Sequence, residues 1–471
     1  MKNSTRTGIR VILRMLLTAA LTALPAAGAS YYISPSGDDN SSGDIDHPLR
    51  SIQKAADIMN PGDTIYLRKG IHNYRAGGTA FAIAWINRSG TEEKPITFTR
   101  YRDPATGLLE HAVIQTFERD DSTTPPSYPR IYATALHVAG SWLKFIDLII
   151  VGSRSTITLE AARALEEKTG KQMTKEQVYR LNNQNGILIM SRDNLVPEHI
   201  LVEGCEIREN CGSGLGISGY GQARSADYVT VRNNIIHDNN QRNNQGGSAV
   251  NIISLKANDG STATKIVVEN NIVYNNENML IWLRFKKNAD GTEQKDANGN
   301  PVVYRDTFNG YSDGNGIIVD VSPTYTGRIR ISNNIVYNNG AAGICVTKSP
   351  NVDIINNTVY RNGHSPYLHW ANIAIVGKES KDITVRNNII WTRDDQWTFH
   401  GTKHGENGVV FDGNLYFRDG ADQWDPKWGA IPPNSSYGNP QFMDPENGDF
   451  RLNPGSSATG IGAVLSAVKT E

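Results

Sequence analysis

Cysteine is nearly absent from this sequence: Cys205, Cys211 and Cys345 are the three in 471 residues. That is too few for a disulfide framework to hold the fold. Cys205 and Cys211 lie close enough in sequence to pair. Cys345 sits in an aliphatic strand pattern and reads as a small buried apolar side chain. An excess of one charge is also missing. Lys and Arg number 47 against 48 Asp and Glu, a formal net charge of −1. Nothing in that balance favours nucleic acid, and no nucleic-acid motif occurs. Past the N-terminus no apolar run is long enough to span a bilayer. There is no P-loop, no HExxH zinc helix, no nucleophile elbow and no dinucleotide fingerprint. No low-complexity tract stands out.

What the chain does hold is a repeat. Between Asn315 and Gly363, NGIIVDV is answered by AGICVTK, and RIRISNNIVYNNG by NVDIINNTVYRNG. The first half recurs as NGILIMS, SGLGISG, SAVNIIS and NIAIVGK. The second half recurs as YVTVRNNIIHDN, KIVVENNIVYNN and DITVRNNIIWTR. A motif returning every roughly 23–37 residues, with longer gaps at insertions, signals a stacked solenoid. Within each unit apolar residues alternate, so the segments are strands. Ile187, Leu215, Val250, Ile317, Ile344 and Ala374 align in one inward column, and Ile189, Ile217, Ile252, Val319, Val346 and Val376 in another. The last Asn of each NN pair (Asn234, Asn271, Asn334, Asn357, Asn388) falls at a corner. Asn tolerates left-handed backbone there, and its amide can bond the coils above and below. His237, Tyr274, Tyr337, Tyr360 and Trp391 form an aromatic column beside it. The reading is all-β: a parallel β-helix with an asparagine ladder, right-handed because parallel crossovers are.

The ends and insertions complete the organisation. Lys2, Arg6, Arg10 and Arg14 precede the apolar run Met15–Ala27, and Ala27-Gly28-Ala29 fits a small-x-small cleavage site. Residues 1–29 are therefore expected to be a signal peptide, placing the mature chain outside the cell, at its surface or in the periplasm. One β-helix domain, 30–471, follows. Its N-terminal cap spans 30–70, where Ile52, Ala55, Ala56 and Met59 share one face of a short helix that covers the open first coil. A charged, Ala/Leu/Glu-rich helical insertion spans 154–182. A loop insertion, 285–312, carries turn signals for a hairpin leaving the stack. The C-terminal loops and closing segment span 394–471.

Three stretches carry a family resemblance. YYISPSGDDNSSGDIDHPLRSIQKAADIMNPGDTIYLRKGIH, starting at Tyr31, resembles the N-terminal cap of secreted bacterial right-handed parallel β-helix proteins of the pectate-lyase-like superfamily. KPITFTRY, from Lys94, is similar to their first full coil. GNPQFMDPENGDFRLNPGSSATGIG, from Gly438, is similar to their closing segment. With the NN repeats, the likeness covers nearly all of the mature chain. That group includes uronate lyases, epimerases and hydrolases, so it speaks for architecture before chemistry.

Candidate chemistry comes from the outer face of the first strand. Leu188, Gly216, Asn251, Ile318, Cys345 and Ile375 alternate outward, then Met190, Ser218, Ile253, Asp320, Thr347 and Gly377. Just past the strand stand Ser191, Gly219, Ser254, Val321, Lys348 and Lys378. Adjacent strands are ~4.8 Å apart, so Asp320, Thr347, Lys348 and Lys378 should be close neighbours on a flat surface suited to a polymer. Asp313 sits just before this strand. The resemblance implies β-elimination on an acidic polysaccharide, with Ca²⁺ neutralising the sugar carboxylate and a Lys or Arg base. It makes Asp313 and Asp320 metal candidates, Lys348 the base with Asp320 beside it, and Lys378 a second choice. Substrate contacts then fall to Arg284, Asn251, Thr347, His364 and Trp370, the last suited to stacking on a pyranose ring. Plainer readings stand beside these. Asp313 in S-D-G-N-G also fits a turn, Asp320 an ordinary surface contact, and Lys348 a solvated strand end. The acidic run DDG, which would support a pectin hydrolase, is missing. A C5-epimerase shares the first chemical step. A hydrolase would need two carboxylates, for which Asp313 and Asp320 are available. A non-catalytic glycan-binding surface protein would need no chemistry. The chain is expected to act as a monomer.

Overall fold

A computed structural model describes residues 28–75, 81–164, 183–242, 246–281, 284–299, 302–304, 311–368, 370–396 and 400–463. The expected leader up to residue 27 and most of the expected helical insertion, 165–182, lie outside these ranges. The strands form three long parallel sheets of 11, 11 and 9 members. Each complete coil adds one strand to sheet C, then one to sheet A, then one to sheet B. The coil starting at Asn185 shows this, with strands Asn185–Met190, Glu198–Glu203 and Glu206–Arg208. Non-consecutive strands pair in register, so residues far apart in sequence become lateral neighbours. The chain is a parallel β-helix.

Period-two alternation makes each strand bury one face. In sheet A, Phe98, Phe145, Val202, Val231 and Val268 follow one another from coil to coil, all at most 1% exposed. In sheet C the inward column is Ile187, Leu215, Val250, Ile317, Ile344 and then Ile373, not Ala374. The last coil is thus shifted by one residue from the expected alignment, so Ala374 takes the outward place beside Cys345.

The corners hold the coils together. At the A-to-B corner, the first Asn of each NN pair (Asn233, Asn270, Asn333, Asn356, Asn387) takes the left-handed backbone, φ +54 to +58. The second Asn makes the ladder, running Asn234, Asn271, Asn334, Asn357, Asn388 and Asn414, with amide-to-amide distances of 2.9–3.0 Å. Two roles assigned to one residue from sequence are divided between two. A second ladder runs along the B-to-C corner through Asn183, Asn210, Asn239, Asn276, Asn339, Asn362 and Asn372. Its last rung explains the shift in the final coil. Asn372 takes a place in the ladder and is followed directly by the strand Ile373–Val376. The C-to-A corner uses serine: the backbone N–H groups of Leu255 and Ser322 donate to the hydroxyls of Ser322 and Ser349 at 2.9 and 3.1 Å.

The N-terminal helix, Ile52–Ile58, is capped by the Ser51 hydroxyl and buries Ile52, Ala55 and Ala56 against the first coil. At the other end, the hairpin of Phe442–Asp444 and Asp449–Leu452 does not close the last coil. It folds back onto the outer face of sheet B, where Phe442 and Phe450 pack on Tyr360. The aromatic column there attracts it: His237, Tyr274, Tyr337, Tyr360 and Trp391 stand on successive strands. All three cysteines are buried, and no disulfide joins Cys205 to Cys211.

Candidate functional site

The outer face of sheet C carries the site candidates, and the structure roofs half of it. Ile318, Cys345 and Ala374 point outward yet are 4%, 0% and 0% exposed. The segment after Gly363 lies over them. Trp370 packs on Ile318, Ala342, Cys345 and Ala374 on one side and on Tyr311, Ala341 and Leu368 on the other. Tyr367 in the same segment stacks on Tyr311 with centroids 3.8 Å apart. The expected open strip is therefore the second outward column alone, where Met190, Ile253, Asp320, Thr347 and Val376 are half-buried.

Within that strip Asp320 closes the strand Ile317–Asp320 and stands between Ile253 and Thr347. Thr347 closes Ile344–Thr347, and its hydroxyl lies 3.4 Å from the Cys345 thiol. Lys348 follows at φ +47 and is exposed, its N–H donating to the Val376 carbonyl at 2.9 Å. Val321 holds the same corner place on the previous coil at φ +42, a costly conformation for a β-branched residue. Gly377 holds it on the next coil at φ +93, with no room for a side chain: a Cβ there would come within 2.8 Å of Lys348 Cγ. Asp320, Thr347 and Lys348 are thus consecutive places along one edge of the sheet. Lys378 is not beside Lys348. The one-residue shift puts Gly377 there, and the corner is two residues longer before its serine, Ser380, than before Ser349.

Asp313 lies in the turn before the strand, half-buried at φ +64. Its place relative to Asp320 shows in the thiol they share. Burial pushes the Cys345 thiol up to about 12; the Thr347 hydroxyl works against this, and the charges of Asp320 and then Asp313 add to it. Asn251 is outward and half-buried between Gly216 and Ile318. His364 donates to or accepts from Glu277, with Nε2 2.9 Å from Oε2. Glu277 is 7% exposed and was not singled out from sequence, because the coil that brings it to His364 is 87 residues away in the chain. Arg284 belongs to the two-residue strand Arg284–Phe285, which pairs antiparallel with Val303–Tyr304 outside the main sheets. Its side chain lies outside the described residues.

The donor set does not fit a resident Ca²⁺. That ion takes roughly six to eight oxygens. Among the described residues no group of three or more His, Cys, Asp or Glu side chains converges on an ion-sized site. Asp313 and Asp320 supply two carboxylates, short of that number.

A stack of parallel coils with a half-roofed outer face and a carboxylate, hydroxyl and amine in adjacent places defines a class: the parallel β-helix. Within that class, the chain belongs to the family of the Pel9A-like right-handed β-helix region, which it matches over residues 31–388. It is 41% identical to pectate lyase PEL9 of Emericella nidulans over 73 residues, 16% of each chain. Over 490 aligned positions, 92% of each chain, it is 24% identical to the uncharacterized protein YwoF of Bacillus subtilis. The crystal structure of pectate lyase Pel9A aligns over 94% of both chains at 16% identity, with a TM-score of 0.47. A glycoside hydrolase structure aligns over 90% of this chain and 99% of its own at 11% identity, with a TM-score of 0.48. Among the described residues, no helix is long and apolar enough to cross a membrane.

Proposed function

We propose that this protein is an exported enzyme that cleaves a uronic-acid-containing polysaccharide by β-elimination. The observation that carries the reading is the run Asp320, Thr347 and Lys348 along the open edge of sheet C. Family membership supports a glycan substrate, and the basic, apolar and small-residue pattern at the N-terminus supports export.

In this reading Lys348 is the base. Its amine takes the proton from the carbon next to the sugar carboxylate. The electron pair left behind forms a carbon–carbon double bond as the bond to the leaving sugar oxygen breaks, and that oxygen takes a proton from solvent. Asp320 and Thr347 orient the ring, and Asn251 contacts the next residue of the polymer. Trp370 and His364 wall the strip. Release of ultraviolet-absorbing unsaturated sugar from pectate, alginate or glucuronan tests the reading. Parallel assays with Ca²⁺ and with chelator read whether Asp313, Asp320 and the substrate carboxylate together recruit a cation. A glycoside hydrolase is the second reading, favoured by the two carboxylates that both act on Cys345. It would yield reducing ends without the absorbance.

A further inference from the structure

The same outer face of sheet C holds a second cluster, at its N-terminal end. Trp85 and His137 occupy adjacent outward places, ring centroids 4.4 Å apart, and Phe81 stacks on Trp85 at 5.0 Å. The Arg192 guanidinium lies 3.2 Å from the Trp85 ring centroid. Burial pulls Arg75 down; the charges of Asp57 and then Tyr132 work against this, and the Arg192 guanidinium adds to it. Among the described residues, three donor-bearing atoms on these elements are buried without a hydrogen-bond partner, Ser191 Oγ, Arg192 Nη1 and Arg75 Nε, while the His137 ring donates through Nε2 to the Met190 carbonyl at 3.3 Å and so keeps Nδ1 as an acceptor. His137 and Ser191 are 5% and 6% exposed.

Such an arrangement is costly for a fold to keep. Each unpartnered buried donor loses its hydration, and two guanidinium groups lie near one another with Asp57 as the counter-charge on the Arg75 side. Asp193 pairs with Arg192 but is 72% exposed, so it does little to neutralise the buried side. The missing complement is a group that only accepts hydrogen bonds and carries negative charge, which describes a carboxylate. Phe81, 42% exposed, offers an apolar ring beside it for the carbon face of a sugar.

We propose that Arg75, Ser191 and Arg192, walled by the Trp85 and His137 rings, form a second subsite, which seats the carboxylate of another uronate residue of the same polymer. The polymer's identity rests on the lyase reading above; the charge logic of the subsite does not. The second outward column leads from Met190, on the strand next to that of His137, through Ser218 and Ile253 to Asp320. Four strand steps separate the subsite from Asp320, about 19 Å along the face. A chain several sugars long spans both, so a short oligosaccharide fails to reach the subsite.

Binding measured by calorimetry tests this. The Asp320→Asn chain, used to suppress turnover, is titrated with hexamers of galacturonate, mannuronate and glucuronate and with their methyl esters. It should bind at least one acid hexamer. Adding Arg192→Gln should weaken that acid about tenfold and leave its ester unchanged, with Arg75→Gln acting in the same direction. Arg192 is 38% exposed, so the variant should keep its melting temperature within a few degrees. The proposal is overturned if Arg192→Gln binds the acid as tightly as before, if acid and ester weaken alike, or if no acid hexamer binds. Binding through Arg192 by a wild-type chain that releases no unsaturated product would refute elimination and leave the subsite standing.

Discussion

Glu277 and His364 meet at 2.9 Å, the one from a coil's corner and the other from the segment that carries Trp370 over sheet C. The contact ties the roof to the wall. It also explains how an outward-facing cysteine comes to be fully buried: Cys345 lies under Trp370, flanked by Ile318 and Ala374.

Trp370→Ala should therefore open Cys345 alone. A thiol-reactive dye under native conditions should label one cysteine in the variant and none in the wild type. His364→Ala should give the same result more weakly. Labelling of Cys205 and Cys211 as well, both buried in the core of the coils, would mean general unfolding and contradict the local role.

The ladder predicts a stability cost. Asn271 Oδ1 accepts from the backbone and the side-chain amide of Asn234, and its own amide donates to Val231 and Asn334. These bonds are fully buried. Asn271→Ala should cost roughly 2–4 kcal/mol, at about 1 kcal/mol per net bond, read from denaturant midpoints. The neighbouring substitution Asn270→Gly, at a half-buried position with φ +56, should be nearly neutral.

His237 gives a pH signature. Burial alone would lower its pKa, but hydrogen bonds to Asp238 at 2.7 Å and to Glu206 raise it overall. The folded chain thus holds the proton more tightly than the unfolded chain. That stabilisation is complete below the unfolded value near 6.5 and fades as pH rises through the raised folded value. His237→Asn should lose more stability at pH 5 than at pH 9, measured by thermal unfolding. An equal loss at both would show that only the stack on Tyr274 matters.

The architecture was legible because a solenoid writes its three-dimensional neighbours as repeats. The inward columns, the Asn234-to-Asn388 ladder and the Ile52 helix face follow from periodicity alone, and the first five residues of each inward column fall where the alternation puts them. The second ladder is also written in the repeat, since Asn239, Asn276, Asn339 and Asn362 each fall two residues after the aromatic column; only Asn372 reaches its rung from an irregular segment. The site was only partly legible. Asp320 and Thr347 are on a regular strand, so register placed them side by side. Lys378 was misplaced by the single-residue shift at Ile373. The covering of Cys345 and the Glu277–His364 contact depend on loops whose path no repeat encodes.

The account stands or falls on Lys348. Initial rates of unsaturated product release should be measured for the wild type, Lys348→Ala and Lys378→Ala on each uronate polymer. Lys348→Ala should lose about 10²–10⁴ of the rate while Lys378→Ala stays within a few-fold of wild type. A wild-type chain that yields no unsaturated sugar, or a Lys348→Ala variant with undiminished rate, would contradict it.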